Sequence, residues 1–234
     1  MPKKLGYPLI ALNFKVYLES VGEKAVILAR VAEEVAREHG VSVMVAPPLL
    51  DLERVVKKVD LPVFAQHVDP CSPGGHTGAI VAEDVKAVGA VGSIVNHSEK
   101  RLLLSDIGKV LERLRENELL SLLCTDTVKT TKAGAALAPD ILAIEPPELI
   151  GTGIPVSKAK PELVTGAVEA VKRINPKVHV LCGAGISTGE DVAKAIELGT
   201  EGVLLASAYV KAKDPKKVLA DMAEAALKSW EKRS

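Results

Sequence analysis

The chain has 234 residues, 47% of them hydrophobic but only 3% aromatic, and its 30 Lys plus Arg balance 30 Asp plus Glu. Even charge leaves no global field to attract nucleic acid or an anionic membrane, and no run of 18 apolar residues marks a spanning helix. The expected partner is therefore a small molecule, and the expected setting is the cytoplasm.

Cys71, Cys124 and Cys182 are an odd set without a Cys-x-x-Cys pair, which argues against a disulfide framework and a thiolate zinc site. The N-terminal Met1-Pro2-Lys3-Lys4 leads into no long apolar run. Asparagine occurs only at 13, 96, 117 and 175 and glutamine only at 66, a composition that resembles proteins from hot environments.

In chain order, the first predicted strand, 8–13, runs into Asn13-Phe14-Lys15. A helix follows, with Ser20 and Glu23 as the expected capping box, Leu28, Val31, Ala32 and Val35 on one face, and Gly40 as its C-terminal stop. Strands are next expected at 41–46 and 62–66, the latter ending in Gln66-His67. Beyond it a loop at 66–79, containing Pro70, Cys71, Ser72, Pro73, Gly74 and Gly75, is poor in charge and suited to docking into another subunit. A short helix at 82–87 leads to strand four, 91–96, and to Asn96-His97-Ser98-Glu99-Lys100-Arg101. Ser105 is expected to start a helix carrying Ile107, Val110, Leu111 and Leu114 inward.

Strand five, 119–124, carries Cys124 and is followed by Asp126 and a short helix at 128–135. Strand six, 141–145, delivers Glu145 into a loop stiffened by Pro146 and Pro147 and ended by Gly151 and Gly153. Paired prolines resist bending while the glycines allow large rotations, so 146–153 can swing as one piece over a carboxylate. Strand seven, 178–183, ends in Gly183-Ala184-Gly185-Ile186-Ser187. Ser187 and Glu190 are the expected capping box of a helix that Gly199 stops. Strand eight, 202–207, ends in Leu205-Ala206-Ser207, and Asp214-Pro215 open a last helix with Val218, Leu219 and Met222 on one face.

Eight strands that are apolar at nearly every position, alternating with helices, fit an α/β fold: one domain over 1–234 built as a (β/α)8 barrel, a length close to the roughly 250 residues typical of that fold. Asn13, Lys15, Gln66, Asn96, His97, Asp126 and Glu145 all fall at or just past the C-terminal ends of their strands, which in such a barrel share one rim. A lysine there implies an anionic substrate, unless it is a solvated surface residue. A histidine beginning a helical turn would have backbone N–H groups aimed at its ring, holding it neutral yet able to donate to a carbonyl. His39, His67, His76 and His179 read as loop histidines without a task. The small-residue turns after strands seven and eight can bring backbone N–H groups to a phosphate.

Asn13-Phe14-Lys15, His97-Ser98-Glu99 with Arg101, and Glu145-Pro146 through Gly151-Thr152-Gly153 together resemble triosephosphate isomerase. The short length and the Pro146-Pro147-Glu148-Leu149 segment look like the archaeal branch, whose likeness implies a homotetramer, with the 66–79 loop forming a dimer contact. The resemblance implies Glu145 as catalytic base, His97 as electrophile, Lys15 as the cation, Asn13 as an orienting residue and Glu99 as a secondary polar group. It further implies phosphate held by backbone N–H groups near Ile150, Gly151, Gly185, Ala206 and Ser207, with no metal or organic cofactor. Departures from the family pattern are Asn96 where many members have glycine, Lys100 for an arginine, Cys124-Thr125-Asp126-Thr127 where a glutamate is usual, no tryptophan in the lid, and Ala206-Ser207 for two glycines. Other phosphate-binding barrels, such as a sugar-phosphate epimerase or a biosynthetic isomerase, and a barrel that binds phosphometabolites without catalysis, are the alternatives.

Overall fold

The structure is a computed structural model and describes residues 5–233; the reading of residues 1–4 lies outside them. Eight parallel strands form one sheet: β1 (Leu9–Asn13), β2 (Ser42–Ala46), β3 (Phe64–Ala65), β4 (Gly92–Val95), β5 (Leu120–Thr125), β6 (Ile141–Ile144), β7 (His179–Gly183) and β8 (Gly202–Leu205). Their order is β2-β1-β8-β7-β6-β5-β4-β3. The two ends meet through a parallel bridge between Val45 and Val63, where the Val45 N–H donates to the Pro62 carbonyl at 3.1 Å. That seam is thin for a covalent reason. Pro62 has no N–H to give back, so the expected strand 62–66 shrinks to two residues.

The helices are α1 (Glu23–His39), α2 (Leu52–Val56), α3 (Ala82–Ala87), α4 (Leu104–Glu116), α5 (Val128–Ala136), α6 (Val156–Ala159), α7 (Pro161–Ile174), α8 (Gly189–Glu197), α9 (Ser207–Val210) and α10 (Pro215–Glu231). Among the described residues no helix is long and apolar enough to cross a membrane.

Strand side chains alternate between two cores, as a period of two requires. Leu9 and Ala11 of β1 pack with Met44, Ile94, Leu122, Cys124, Ile141, Ala143, Leu181 and Leu204, which fill the barrel. Ile10 and Leu12 instead join the layer between the strands and the helices. Because both layers are apolar, the strands read as continuous hydrophobic runs.

Several helix starts differ from the sequence reading. Ser20 is buried and its hydroxyl donates to the carbonyls of Phe14 (2.9 Å) and Tyr17 (3.0 Å), so it does not cap α1. The N-cap is Gly22, at φ +67°, whose N–H donates to Asp51 at 2.8 Å. Ser105 lies inside α4, which starts one residue earlier. The capping box of α8 is Thr188 with Asp191, one residue beyond the expected Ser187 and Glu190. Gly40 at φ +71° closes α1, and Asp214 caps α10 by accepting the Lys217 N–H, both as read.

The unforeseen α7 is the longest miss; Pro161 starts it and Val164, Val168 and Val171 form its buried stripe. Two histidines are not idle either. His67 is buried with Nε2 3.0 Å from Asp69, and His179 opens β7, stacks on Tyr7 at 3.9 Å and pairs with Glu201.

Candidate active site

The strand alternation that fills the barrel also aims the site. Continuing the inward positions gives Asn13 and Lys15 after Leu9 and Ala11, Glu145 after Ile141 and Ala143, Gly183 after Leu181, and Ala206 after Leu204. All leave their strands at the same end of the barrel, because every pairing is parallel.

Lys15 is held in the left-handed backbone region at φ +48°. For a residue with a Cβ that conformation costs roughly 1–2 kcal/mol, so neighbours must hold it. Asn13 Oδ1 accepts the Lys15 N–H at 2.9 Å, and Gln66 Nε2 donates to the carbonyls of Lys15 and Ala46, each at 2.9 Å. The ammonium consequently reaches Glu99 Oε1 at 2.8 Å, with the lysine side chain only 11% exposed.

His97 follows Asn96, which sits at φ +59° with its amide donating to the Cys124 carbonyl (3.0 Å) and accepting the Leu102 N–H (2.9 Å). The ring is buried, and Nδ1 accepts the Glu99 N–H at 3.2 Å. An acceptor at Nδ1 puts the hydrogen of the neutral ring on Nε2. Nε2 points to Glu145, 3.9 Å from Oε2. Glu99 has its side chain 57% exposed and acts on the site through Lys15 and this N–H; it is not part of the cavity wall.

Glu145 is buried, and its N–H donates to the Thr125 carbonyl at 2.7 Å. Its Oε2 makes no hydrogen bond to another protein group among the described residues, which leaves that oxygen for a substrate. Space for the carboxyl comes from Gly183: a Cβ there would lie 2.2 Å from Glu145 Cγ. Cys124, on the barrel side beside Glu145, and Cys182, in the layer that faces the helices, are both buried, as the sequence reading had them in their strands. Burial, then the Glu145 charge, pushes both thiols well up, so they remain neutral.

The segment after Glu145 is a 3-10 turn, Pro147–Leu149, followed by Gly151 at φ +75° and Gly153 at φ +73°. Without a tryptophan, it is fastened by buried Leu149 and an ion pair of Glu148 with Lys160 at the start of α7. Its far end rests on the turn after β7. A Cβ at Gly185 would clash with the Ile154 carbonyl, so only glycine lets the two segments touch.

Asn13, Lys15, Tyr17, His97, Glu145, Ile150, Gly151, Gly185, Ala206 and Ser207 line one cavity of about 60 Å³. Every expected site residue except Glu99 is thus on its wall. Ala206 has φ −138°, which needs no glycine. Asp126 accepts from Arg101 at 3.0 Å and from Thr130 at 2.8 Å, so a carboxylate network does stand behind β5 in place of the usual glutamate. Tyr17 and Gly183 escaped the sequence reading; Gly183 was visible only as part of a small-residue turn. A larger cavity of about 260 Å³ opens between α4 and α5 and also touches Glu145, but its walls are mostly apolar and carry neither Lys15 nor His97.

A closed parallel barrel that carries a buried carboxylate, an imidazole and an ammonium at one rim defines a β/α-barrel enzyme equipped for proton transfer. The family model described as triosephosphate isomerase matches residues 8–226. A triosephosphate isomerase from Methanothermus fervidus is 60% identical over 215 residues, covering 92% of this chain and 97% of that protein. Those of Methanothermobacter thermautotrophicus and Methanocaldococcus jannaschii are 55% and 53% identical, again over 92% of this chain and over 94% and 98% of their own lengths. The chain belongs to the triosephosphate isomerase family and is an intramolecular isomerase.

Proposed function

We propose that the chain interconverts dihydroxyacetone phosphate and D-glyceraldehyde 3-phosphate through an enediolate, with Glu145 as base, His97 as electrophile and Lys15 as the fixed cation. The Glu145 carboxylate takes a proton from the carbon beside the substrate carbonyl. The released electron pair forms the carbon–carbon double bond, and the carbonyl oxygen becomes the enediolate oxygen, which His97 Nε2–H stabilises. Protonated Glu145 then returns a proton to the neighbouring carbon while His97 moves the hydroxyl proton between the two oxygens. A glutamate base with a neutral histidine is this family's established pattern, applied here residue by residue.

The observation that carries the reading is the His97 arrangement: the Glu99 N–H on Nδ1 leaves Nε2–H directed at the gap beside Glu145. Lys15 and Asn13 offset and orient the anion, and backbone N–H groups around Ile150, Gly151, Gly185, Ala206 and Ser207 hold the phosphate. Folding 146–153 over the site keeps the enediolate from water, in which it would expel phosphate. A coupled assay with purified protein tests this; turnover of both trioses is expected, and none at high enzyme concentration rejects it.

The proposed setting is the cytoplasm, in glycolysis and gluconeogenesis, and residues 1–234 are proposed as one domain. We also propose a homo-oligomer, a dimer through 66–79 and a tetramer by family likeness. Val16 (76% exposed), Leu18 (80%) and Leu50 (95%) support an interface there, since Gln66 ties the loops after β1, β2 and β3 together.

A further inference from the structure

The charged side chains in and beside the cavity do not by themselves welcome a phosphate dianion. Among the described residues Lys15 is the one lysine or arginine on the wall, and Glu99 already takes it at 2.8 Å. Glu145 adds a second carboxylate, so one positive charge faces two negative ones. Approach of an anion then depends on further positive charge close to the opening.

Lys211 follows α9, whose first residue, Ser207, lines the cavity; the Lys211 N–H donates to the Ser207 carbonyl at 3.0 Å. Its ammonium lies 4.1 Å from the ring centroid of Tyr17, another residue of the same wall. An aromatic face holds a cation through its quadrupole and, unlike a carboxylate, does not cancel the charge. Lys211 is exposed, and among the described residues it forms no ion pair. Its field therefore extends into solvent within a Debye length of the opening.

We infer that Lys211, carried on the ring of Tyr17, is a second cation of the phosphate pocket that speeds capture of the phosphorylated substrate. The inference rests on the pocket assigned above. It makes Lys211 a steering residue, with effects on capture and not on proton transfer.

The test compares Lys211→Gln with Lys177→Gln, which removes the same charge from the exposed turn before β7 at the opposite rim. At low ionic strength Lys211→Gln should lower kcat/KM about three- to fivefold relative to Lys177→Gln, with a shallower salt dependence. The gap should close in about 0.5 M salt, kcat should move less than about twofold, and Lys211→Arg should restore capture. Equal kcat/KM and equal salt slopes for the two glutamine variants overturn the inference, as does a loss that salt does not remove. Lys15→Ala, assayed in parallel for binding of 2-phosphoglycolate, separates the two levels. Undiminished affinity there overturns the pocket itself, whereas weakened affinity with identical glutamine variants overturns only the role of Lys211.

Discussion

At the scale of single residues, the proposed chemistry depends on where one carboxyl oxygen sits. Glu145 is positioned by an N–H bond to Thr125 and by the room that Gly183 leaves. Glu145→Asp draws the carboxylate back by about 1 Å, and kcat is expected to fall on the order of 100-fold with a smaller change in KM. Steady-state kinetics check this, and wild-type kcat in the variant would remove Glu145 as base. Lys15, His97 and Glu145 were legible because each stands at a strand end in a short motif with its own chemistry. The bracing by Gln66 and the space at Gly183 were not. They are contacts between strands far apart in sequence, and local pattern carries no trace of a Cβ that must be missing.

At the scale of elements, the turn after β7 and the region behind the lid are tied together by Asp191. Its carboxylate accepts from the N–H groups of Ser187 (3.1 Å) and Thr188 (3.0 Å) and pairs with Lys158 of α6 at 3.1 Å. Burial raises its pKa, but the bonds from Lys158, Ser187 and Thr188 outweigh burial and hold it below the usual aspartate range. Its stabilising contribution is therefore fully present above the unfolded value of about 3.9 and is lost as pH falls through the lower folded value. Asp191→Asn should lower stability at neutral pH and flatten the decline below about pH 4, read from denaturant midpoints across pH. A variant with the wild-type acid limb would contradict this. The strands were legible to within a residue or two, since apolar runs bounded by turns mark them. Helix starts were less so: the Ser20 hydroxyl is taken by the carbonyls of Phe14 and Tyr17, Ser105 falls inside α4, and the neighbouring Thr188 caps α8 in place of Ser187.

At the scale of the whole molecule, eight strand–helix alternations announced a barrel, but its closure rests on the Val45–Val63 bridge, which no periodicity reveals. The same seam adjoins the loops that expose Val16, Leu18 and Leu50. Light scattering should give a multiple of the 24.7 kDa chain mass, and Leu18→Glu should shift the distribution toward monomer. A monomeric wild type would contradict the proposed interface. In the proposed chemistry one base moves a proton between adjacent carbons of a triose phosphate held in the barrel. Conversion of dihydroxyacetone phosphate in D2O, followed by NMR, reads that proton transfer. Deuterium should enter at the carbon that receives the proton in at least part of the product, because the proton held on Glu145 can exchange with solvent before its return, and Glu145→Gln should abolish both turnover and exchange; undiminished turnover or exchange in the variant would rule out Glu145 as that base.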